Sequence, residues 1–449
     1  MSIDAESYLL KFPKELLQTE EGRRQVTKYD PIAWSLIYFR DSLRDEYTGN
    51  AITLSQFHID IAQSAIKWAK PSLGPMELRE AWVAPRGTGK STWMFLILPA
   101  WALAHGHRKL IVAFADNADL ATNHLATFKR KIQTENELII KDYPDLAVGK
   151  RRPNGMTDSD KQGLYLAKSG AGFMAKGIES TSLGTKVGDQ RPDLILFDDV
   201  EPPATTYSLN QKDGRLALIR DAILPMNINA VVEFVGTVTM DGSIMHDIVR
   251  NAMEGGDTAP DWVVGENIVT HYYPALLDGS DGNEQSLWPQ RWSTEFLQTM
   301  RESSPRSFAL NYMNQPVPLN SPYWSQEMFK YGELVAPTKH IISVDPAVTT
   351  NRKSDFTGIA VFSYSDLERK AILRHAEAVK LSPDALRLHL IRLVERFGSR
   401  MMLIETNQGG DTWKSVFHDF PLPIVTVHQT EKKELRWAQT LDYWPQGFV

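Results

Sequence analysis

The chain has 449 residues, too many for one ordinary hydrophobic core, so two or three domains are expected. Hydrophobic residues make up 42% and charged residues 23%, the balance of a globular protein; Lys plus Arg at 49 against Asp plus Glu at 55 gives a net charge of -6, which excludes a global basic field for nucleic acid and leaves only local patches. With no cysteine, the sequence has no disulfide, no thiolate nucleophile and no cysteine-bound zinc.

The start, MSIDAESYLLKFPKELL, lacks the basic region and apolar run of a signal peptide, which points to the cytoplasm. Residues 1–50 place apolar side chains at helical spacing (Trp34, Leu36, Ile37, Phe39, Leu43) and read as a helical segment packed on the main body. Ile52 to Lys70 follows as an amphipathic helix with Gln56 near its start, and a glutamine amide, a donor and an acceptor together, suits an adenine edge.

An apolar strand then runs into AWVAPRGTGKST, Ala81 to Thr92. Gly87 and Gly89 let the backbone turn and aim N–H groups at phosphate oxygens, Lys90 adds a positive charge, and the Ser91 hydroxyl is placed to hold Mg²⁺. The string departs from G-x-x-x-x-G-K-S/T in having Ala84 where the first glycine stands. Arg86, within the loop, is a candidate sensor of the γ-phosphate or of a neighbouring subunit. The apolar run Trp93 to Ala104 is shorter than the roughly 20 residues a bilayer requires and contains Pro99, so it reads as a buried helix.

A second apolar strand from Lys109 to Ala115 and a polar helix to about Lys131 complete a strand, loop, helix, strand, helix series, the pattern of a parallel sheet covered on both faces. Gly163 to Lys168 and Gly172 to Ile178 flank Ser169-Gly170-Ala171 and suggest a hairpin. Leu194 to Phe197 is unbroken apolar chain ending in Asp198 and Asp199, with Glu201 close behind. Acids at the carboxyl end of such a strand face the ligand crevice. Asp198 is expected to order Mg²⁺ through water, while either Asp199 or Glu201 polarises the attacking water. A third apolar strand, Ala230 to Phe234, ends in Gly236-Thr237, whose hydroxyl can sense the γ-phosphate or its water.

From about 251 to 335 glycine, proline and aromatic residues predominate, with LWPQRW (287–292) and FALNYMNQP (308–316) bracketing a helix; this stretch is expected to be a lid or connector after a core spanning 51–250. The last part, 336–449, opens with HIISVD, a strand ending in Asp345, and continues through two more strands, a well-capped helix and MMLIE, a strand ending in Glu405. Three antiparallel strands, a helix and a parallel return make the ribonuclease H ordering, in which the first and fourth strands are neighbours. Asp345 and Glu405 then approach closely, and two such carboxylates imply a shared Mg²⁺ or Mn²⁺ site able to cut a phosphodiester. The expected fold class is therefore α/β: a P-loop ATPase domain with a parallel central sheet, followed by a ribonuclease H-like mixed-sheet nuclease domain.

An ATPase core followed by a ribonuclease H-like module resembles the large terminase subunit of tailed bacteriophages over nearly the whole chain. Gln56 matches that family's adenine-reading glutamine, the run Arg86, Gly87, Thr88, Gly89, Lys90, Ser91 its deviant Walker A loop (with Thr92 directly after it), Leu194 to Glu201 its Walker B strand, and Gly236-Thr237 its coupling motif. Asp345 and Glu405 fall on two of its three nuclease acids. The resemblance implies ATP and Mg²⁺ as cofactors, hydrolysis coupled to translocation of double-stranded DNA into a procapsid, and cutting of concatemeric DNA. It implies a small terminase subunit and a portal protein as partners, a homo-oligomeric ring on the portal, no membrane, and a location in the host cytoplasm at the procapsid portal. The end of the chain departs from the family: no evident third aspartate follows Glu405, Asp411 and Asp442 lack the right context, and the domain reads either as shortened at its C-terminal end or as using a substitute. The alternative is an ATP-dependent DNA-binding or docking protein whose nuclease-like half is inactive.

Overall fold

The computed structural model describes residues 3–44, 51–151, 163–180, 185–203, 207–253, 260–279, 282–316, 332, 338–347, 356–406, 413 and 416–428. The chain divides into two compact units, Met1–Pro318 and Leu319–Val449.

The first unit is organised by a seven-stranded sheet. Its strands in chain order are β1 (Arg79–Val83), β2 (Leu110–Ala115), β3 (Leu164–Leu166), β4 (Gly172–Gly177), β5 (Leu194–Asp198), β6 (Val231–Gly236) and β7 (Val269–Tyr272). In space the order is β3-β4-β2-β5-β6-β1-β7. Every pairing is parallel except the hairpin β3–β4. Strands β1, β2, β5 and β6 are buried at every position; β2 and the body of β5 are therefore unbroken apolar runs, while β1 and β6 also bury Arg79, Glu80 and Glu233. The hairpin expected from Ser169-Gly170-Ala171 forms, and its short outer strand closes one edge of the sheet.

Strand β7 lies beyond residue 250, so the sheet extends into the stretch that composition sets apart as a connector. Four half-exposed residues inside a Gly/Pro/aromatic background carry too little periodicity to be seen as a strand; pairing of Glu80 to Val83 with Val269 to Tyr272 creates it. The N-terminal helices are likewise part of this unit. Trp34, wholly buried, donates its indole N–H to the Ile97 carbonyl, and Arg23 clasps Asp142 through two 2.6 Å hydrogen bonds that Tyr38 completes at 2.7 Å. A charge pair taken out of water persists only with its lone pairs satisfied in this way.

The helix after the phosphate loop runs as Lys90–Thr92, a π turn over Trp93–Ile97, and Leu98–Ala104. Pro99, which has no N–H to give the Phe95 carbonyl, accompanies the widened turn. No helix of the described residues is long and apolar enough to cross a membrane.

The second unit is a five-stranded mixed sheet: β8 (Lys339–Asp345), β9 (Thr357–Ser365), β10 (Lys370–Val379), β11 (Met401–Glu405) and β12 (Ile424–Val427), in the order β10-β9-β8-β11-β12. Strands β8 to β10 are antiparallel neighbours, and β11 returns parallel to β8 after the helix Pro383–Phe397. Ser382 caps that helix by accepting from the Ala385 N–H, and Gly398 ends it in a left-handed conformation. Its Leu386, Leu390 and Leu393 pack on Ile342, Val344, Ile359, Val361, Met402 and Ile404. This is the ribonuclease H ordering.

Candidate active site

The phosphate loop joins β1 to the helix that starts at Lys90. Gly87 and Gly89 have φ of 81° and 74°, the left-handed region that costs a side chain about 1 kcal/mol or more, so glycine is needed at both. Ala84, wholly buried, is absent from the left-handed residues, which explains why alanine serves where the usual pattern has glycine. Thr88 closes the turn by donating its hydroxyl to the Pro85 carbonyl at 2.8 Å. The buried Lys90 Nζ lies inside the loop, 2.9 Å from both the Ala84 and Pro85 carbonyls. Burial pushes its pKa down to about 8, against the pull of Asp199 and Asp198.

The acids stand one strand away. In the order β5-β6-β1, strand β6 is inserted between the acid strand and the phosphate strand, so Gly236-Thr237 emerges between the loop and the carboxylates. Asp199, with φ of 41°, accepts from the Thr237 N–H at 3.1 Å and from its hydroxyl at 3.4 Å. A Cβ at residue 236 would stand 3.1 Å from the Asp199 carboxylate, so glycine there makes room for that approach. The sequence thus brings Asp199 and Thr237 into direct contact from two different strands.

Asp198 is 2% exposed and its Oδ1 is buried without a hydrogen-bond partner among the described residues. Burial first, then the neighbouring charge of Asp199, push its pKa up to about 7, while Ser91 and Lys90 oppose the shift. An orphaned carboxylate oxygen beside a serine hydroxyl fits a hard divalent cation with water in its shell. Because the folded-state pKa lies above the unfolded one, the folded state holds the proton more tightly, and stability falls as pH rises from about 4 toward 7. Asp198→Asn in EDTA is expected to unfold at higher urea than the parent at pH 8, by about 1 to 3 kcal/mol, and with no gain at pH 4. Urea titrations at the two pH values check this, and an equal shift at both would remove the titration argument.

Glu201 is occupied elsewhere. Its two oxygens accept the backbone N–H groups of Ile244 at 2.6 Å and Met245 at 2.9 Å, the first turn of the helix Ile244–Met253. The carboxylate is 4% exposed and serves as the anion at a helix N-terminus, with burial raising its pKa. Of the two acids that sequence leaves open for the water-polarising role, Asp199 faces the phosphate strand's neighbour and Glu201 caps a helix.

Gln56 is the first residue of its helix, Gln56–Ala65, and its amide nitrogen donates to Asp60 at 2.6 Å. The helix reaches the loop through His58, which sequence reading passed over. Its Nδ1 accepts the Ser55 N–H at 2.9 Å, so Nε2 carries the proton and donates to the Thr88 carbonyl at 2.7 Å. Burial pushes its pKa down to about 4, which keeps that ring neutral. Arg86 is exposed; its backbone N–H donates to the Asn311 carbonyl at 3.0 Å. His124 lies on a helix whose periodicity gives it no distinction in the sequence; its Nε2 is 3.8 Å from Asp198. Thr92 lines a cleft of about 350 Å³ together with Gly87, Thr88 and Gly89.

In the second unit Val344 pairs with Ile404 across the parallel strands β8 and β11, and both are buried. The next residues, Asp345 and Glu405, therefore project from the opposite face at the same level, on strands about 4.8 Å apart. Asp411 and Asp442, the acids that follow Glu405, lie outside the described residues. Among the described residues no group of three or more His, Asp or Glu side chains is arranged to hold a metal ion.

The fold and the loop geometry define a P-loop α/β unit followed by a ribonuclease H-like unit. No family model and no curated protein matches the chain. Among solved structures, the chain is similar to the large terminase of a thermophilic bacteriophage in complex with ADP, at 8% identity over 88% of this chain and 87% of that chain with a TM-score of 0.38. It is similar to the ATPase domain of the Thermus phage P74-26 large terminase, at 12% identity over 53% of this chain and 89% of that chain with a TM-score of 0.34. It is also similar to the bacteriophage Phi-29 viral genome packaging motor assembly, at 9% identity, 78% and 84% coverage and a TM-score of 0.26. These are distant likenesses, and the chemistry is read from this chain's own residues.

Proposed function

We propose that the chain is a DNA-packaging motor subunit that hydrolyses ATP to translocate double-stranded DNA. The observation that carries the ATPase reading is the convergence of the Gly87–Ser91 loop, the orphaned Asp198 oxygen and the Asp199–Thr237 contact at the carboxyl ends of β1, β5 and β6. In this reading Lys90 and the loop N–H groups bind the β- and γ-phosphates, and Ser91 with Asp198 would hold Mg²⁺. When bound, the ion supplies charge neutralisation to the transferred phosphoryl group. Asp199 accepts the proton of the attacking water, and its hydrogen bonds from Thr237, both to Oδ1, hold the carboxylate in place. The Asp199–Thr237 contact gives the end of β6 a direct view of the state of that carboxylate. Gln56 is proposed to read adenine and Arg86 to sense the γ-phosphate or a neighbouring subunit.

The second unit is proposed to be a two-metal nuclease that cuts concatemeric DNA, with Asp345 and Glu405 as ligands of Mg²⁺ or Mn²⁺. The proposed partners are double-stranded DNA, a small terminase subunit, the portal protein and further copies of this chain in a ring, at the procapsid portal in the host cytoplasm. For the nuclease, the parent protein is expected to nick and linearise plasmid in Mn²⁺, and Asp345→Ala to lose this by about 10²-fold or more while keeping ATP turnover. Undiminished cutting by the variant would remove the metal-site assignment, and an inert parent in both metals would favour a docking role for this unit. For the motor, phosphate release is expected to accelerate on adding double-stranded DNA; the same slow rate with and without DNA would remove the translocation reading.

A further inference from the structure

The string LWPQRW, which composition assigns to a connector, lies against the phosphate loop. A Cβ built on Gly87 would be 3.4 Å from the Trp292 ring and 3.7 Å from an Arg291 guanidinium nitrogen. Arg291 lines the same cleft of about 350 Å³ as Gly87, Thr88 and Gly89. The guanidinium lies 5.4 Å from the Trp288 ring centroid and 5.3 Å from that of Trp292, two indoles that meet each other edge-on at 6.2 Å. Trp288 is itself fixed: it is 7% exposed, its indole N–H donates to the Thr53 hydroxyl at 2.8 Å, and it meets His58 edge-on at 4.8 Å.

The chain that follows is tied to both halves of the site. The Arg86 N–H donates to the Asn311 carbonyl, and the buried Asn314, at φ of 53°, accepts the Val238 N–H directly after Thr237 at 3.0 Å. Residues 288–314 thus bridge the phosphate loop and the end of β6, and they bring one cation to the mouth of the loop.

We propose that Arg291 is a phosphate-binding residue of the nucleotide site, acting from the same chain as the loop. The proposal deepens and rests on the reading of residues 84–92 as a nucleoside triphosphate site. A planar guanidinium presents a fork of N–H donors that matches phosphate oxygens, and contact with two indoles set nearly at right angles restricts its orientation before the ligand arrives. The ligand class is a nucleoside polyphosphate with its phosphates on the loop.

The test is equilibrium binding of MgATP and MgADP to the full chain and to Arg291→Gln, Arg291→Lys and Lys90→Ala, with thermal unfolding of each. Arg291→Gln is expected to raise the Kd of MgATP at least about tenfold while the unfolding midpoint stays at the parent value, and Arg291→Lys, a point charge without the fork, to fall between. Parent-like affinity in Arg291→Gln while Lys90→Ala fails to bind would overturn the role of Arg291 and leave the nucleotide site standing. Parent-like affinity in Lys90→Ala would overturn the nucleotide site itself. Mixing Arg291→Gln with Lys90→Ala subunits, at MgATP well below the Kd of Arg291→Gln where that variant turns over slowly, separates the arrangement within one chain from one across subunits: no recovery of hydrolysis is expected, and recovery would overturn action from the same chain.

Discussion

Lys90→Ala is expected to reduce ATP hydrolysis at least about 10³-fold, because it removes the one buried cation inside the loop where charge gathers on the β- and γ-phosphates. The residue's environment is what makes the effect large. Lys90 is wholly enclosed by the loop, and burial has already lowered its pKa to about 8, so a bound polyphosphate recovers an electrostatic interaction that water screens very little. Removing the side chain also takes the Lys90 donor from the Ala84 carbonyl, at about 1 to 3 kcal/mol, while the Pro85 carbonyl keeps the Thr88 hydroxyl. The measurement is therefore paired: phosphate release under saturating MgATP, and circular dichroism to show that the variant is folded. A folded variant with parental turnover would remove the phosphate-loop reading.

Asp199→Asn is expected to abolish hydrolysis by about 10²- to 10⁴-fold while leaving MgATP binding near the parent value. The asparagine oxygen can still accept from Thr237, so the geometry at the end of β6 is kept and only the proton acceptor is lost. Glu201→Gln makes the contrast. Its amide offers one acceptor where the carboxylate offers two to Ile244 and Met245, so the expected result is a weakened helix N-terminus, about 0.5 to 2 kcal/mol, with turnover retained. Phosphate release and urea unfolding measured on both variants distinguish the roles. Full turnover in Asp199→Asn together with none in folded Glu201→Gln would reverse the assignment.

These contrasts mark where the sequence ran out. The loop Gly87 to Ser91, the apolar strand ending in Asp198 and the strand ending in Gly236-Thr237 were all legible, because each is a local signal. A glycine at positive φ, a strand buried on both faces and an acid at its carboxyl end leave their trace within a dozen residues. The ribonuclease H ordering of β8 to β11 was legible for the same reason, since hairpins and a capped helix are short-range features, and the parallel return of β11 beside β8 follows from them.

Tertiary structure alone decided which side chains meet. Glu201 and Asp199 are two residues apart and chemically alike; only the packing of the helix Ile244–Met253 against the end of β5 gives one to a helix terminus and the other to Thr237. His58 reaches the loop because its helix crosses beneath Thr88, and Arg291 reaches it from some 200 residues downstream because the stretch 288–314 folds back over the sheet that β7 extends. Periodicity and spacing report the structure a segment makes with itself. The contacts of Asp199 with Thr237, of Glu201 with a helix terminus and of residues 291 and 292 with Gly87 join segments remote in sequence, and they are fixed by burial and close packing once the sheet is assembled.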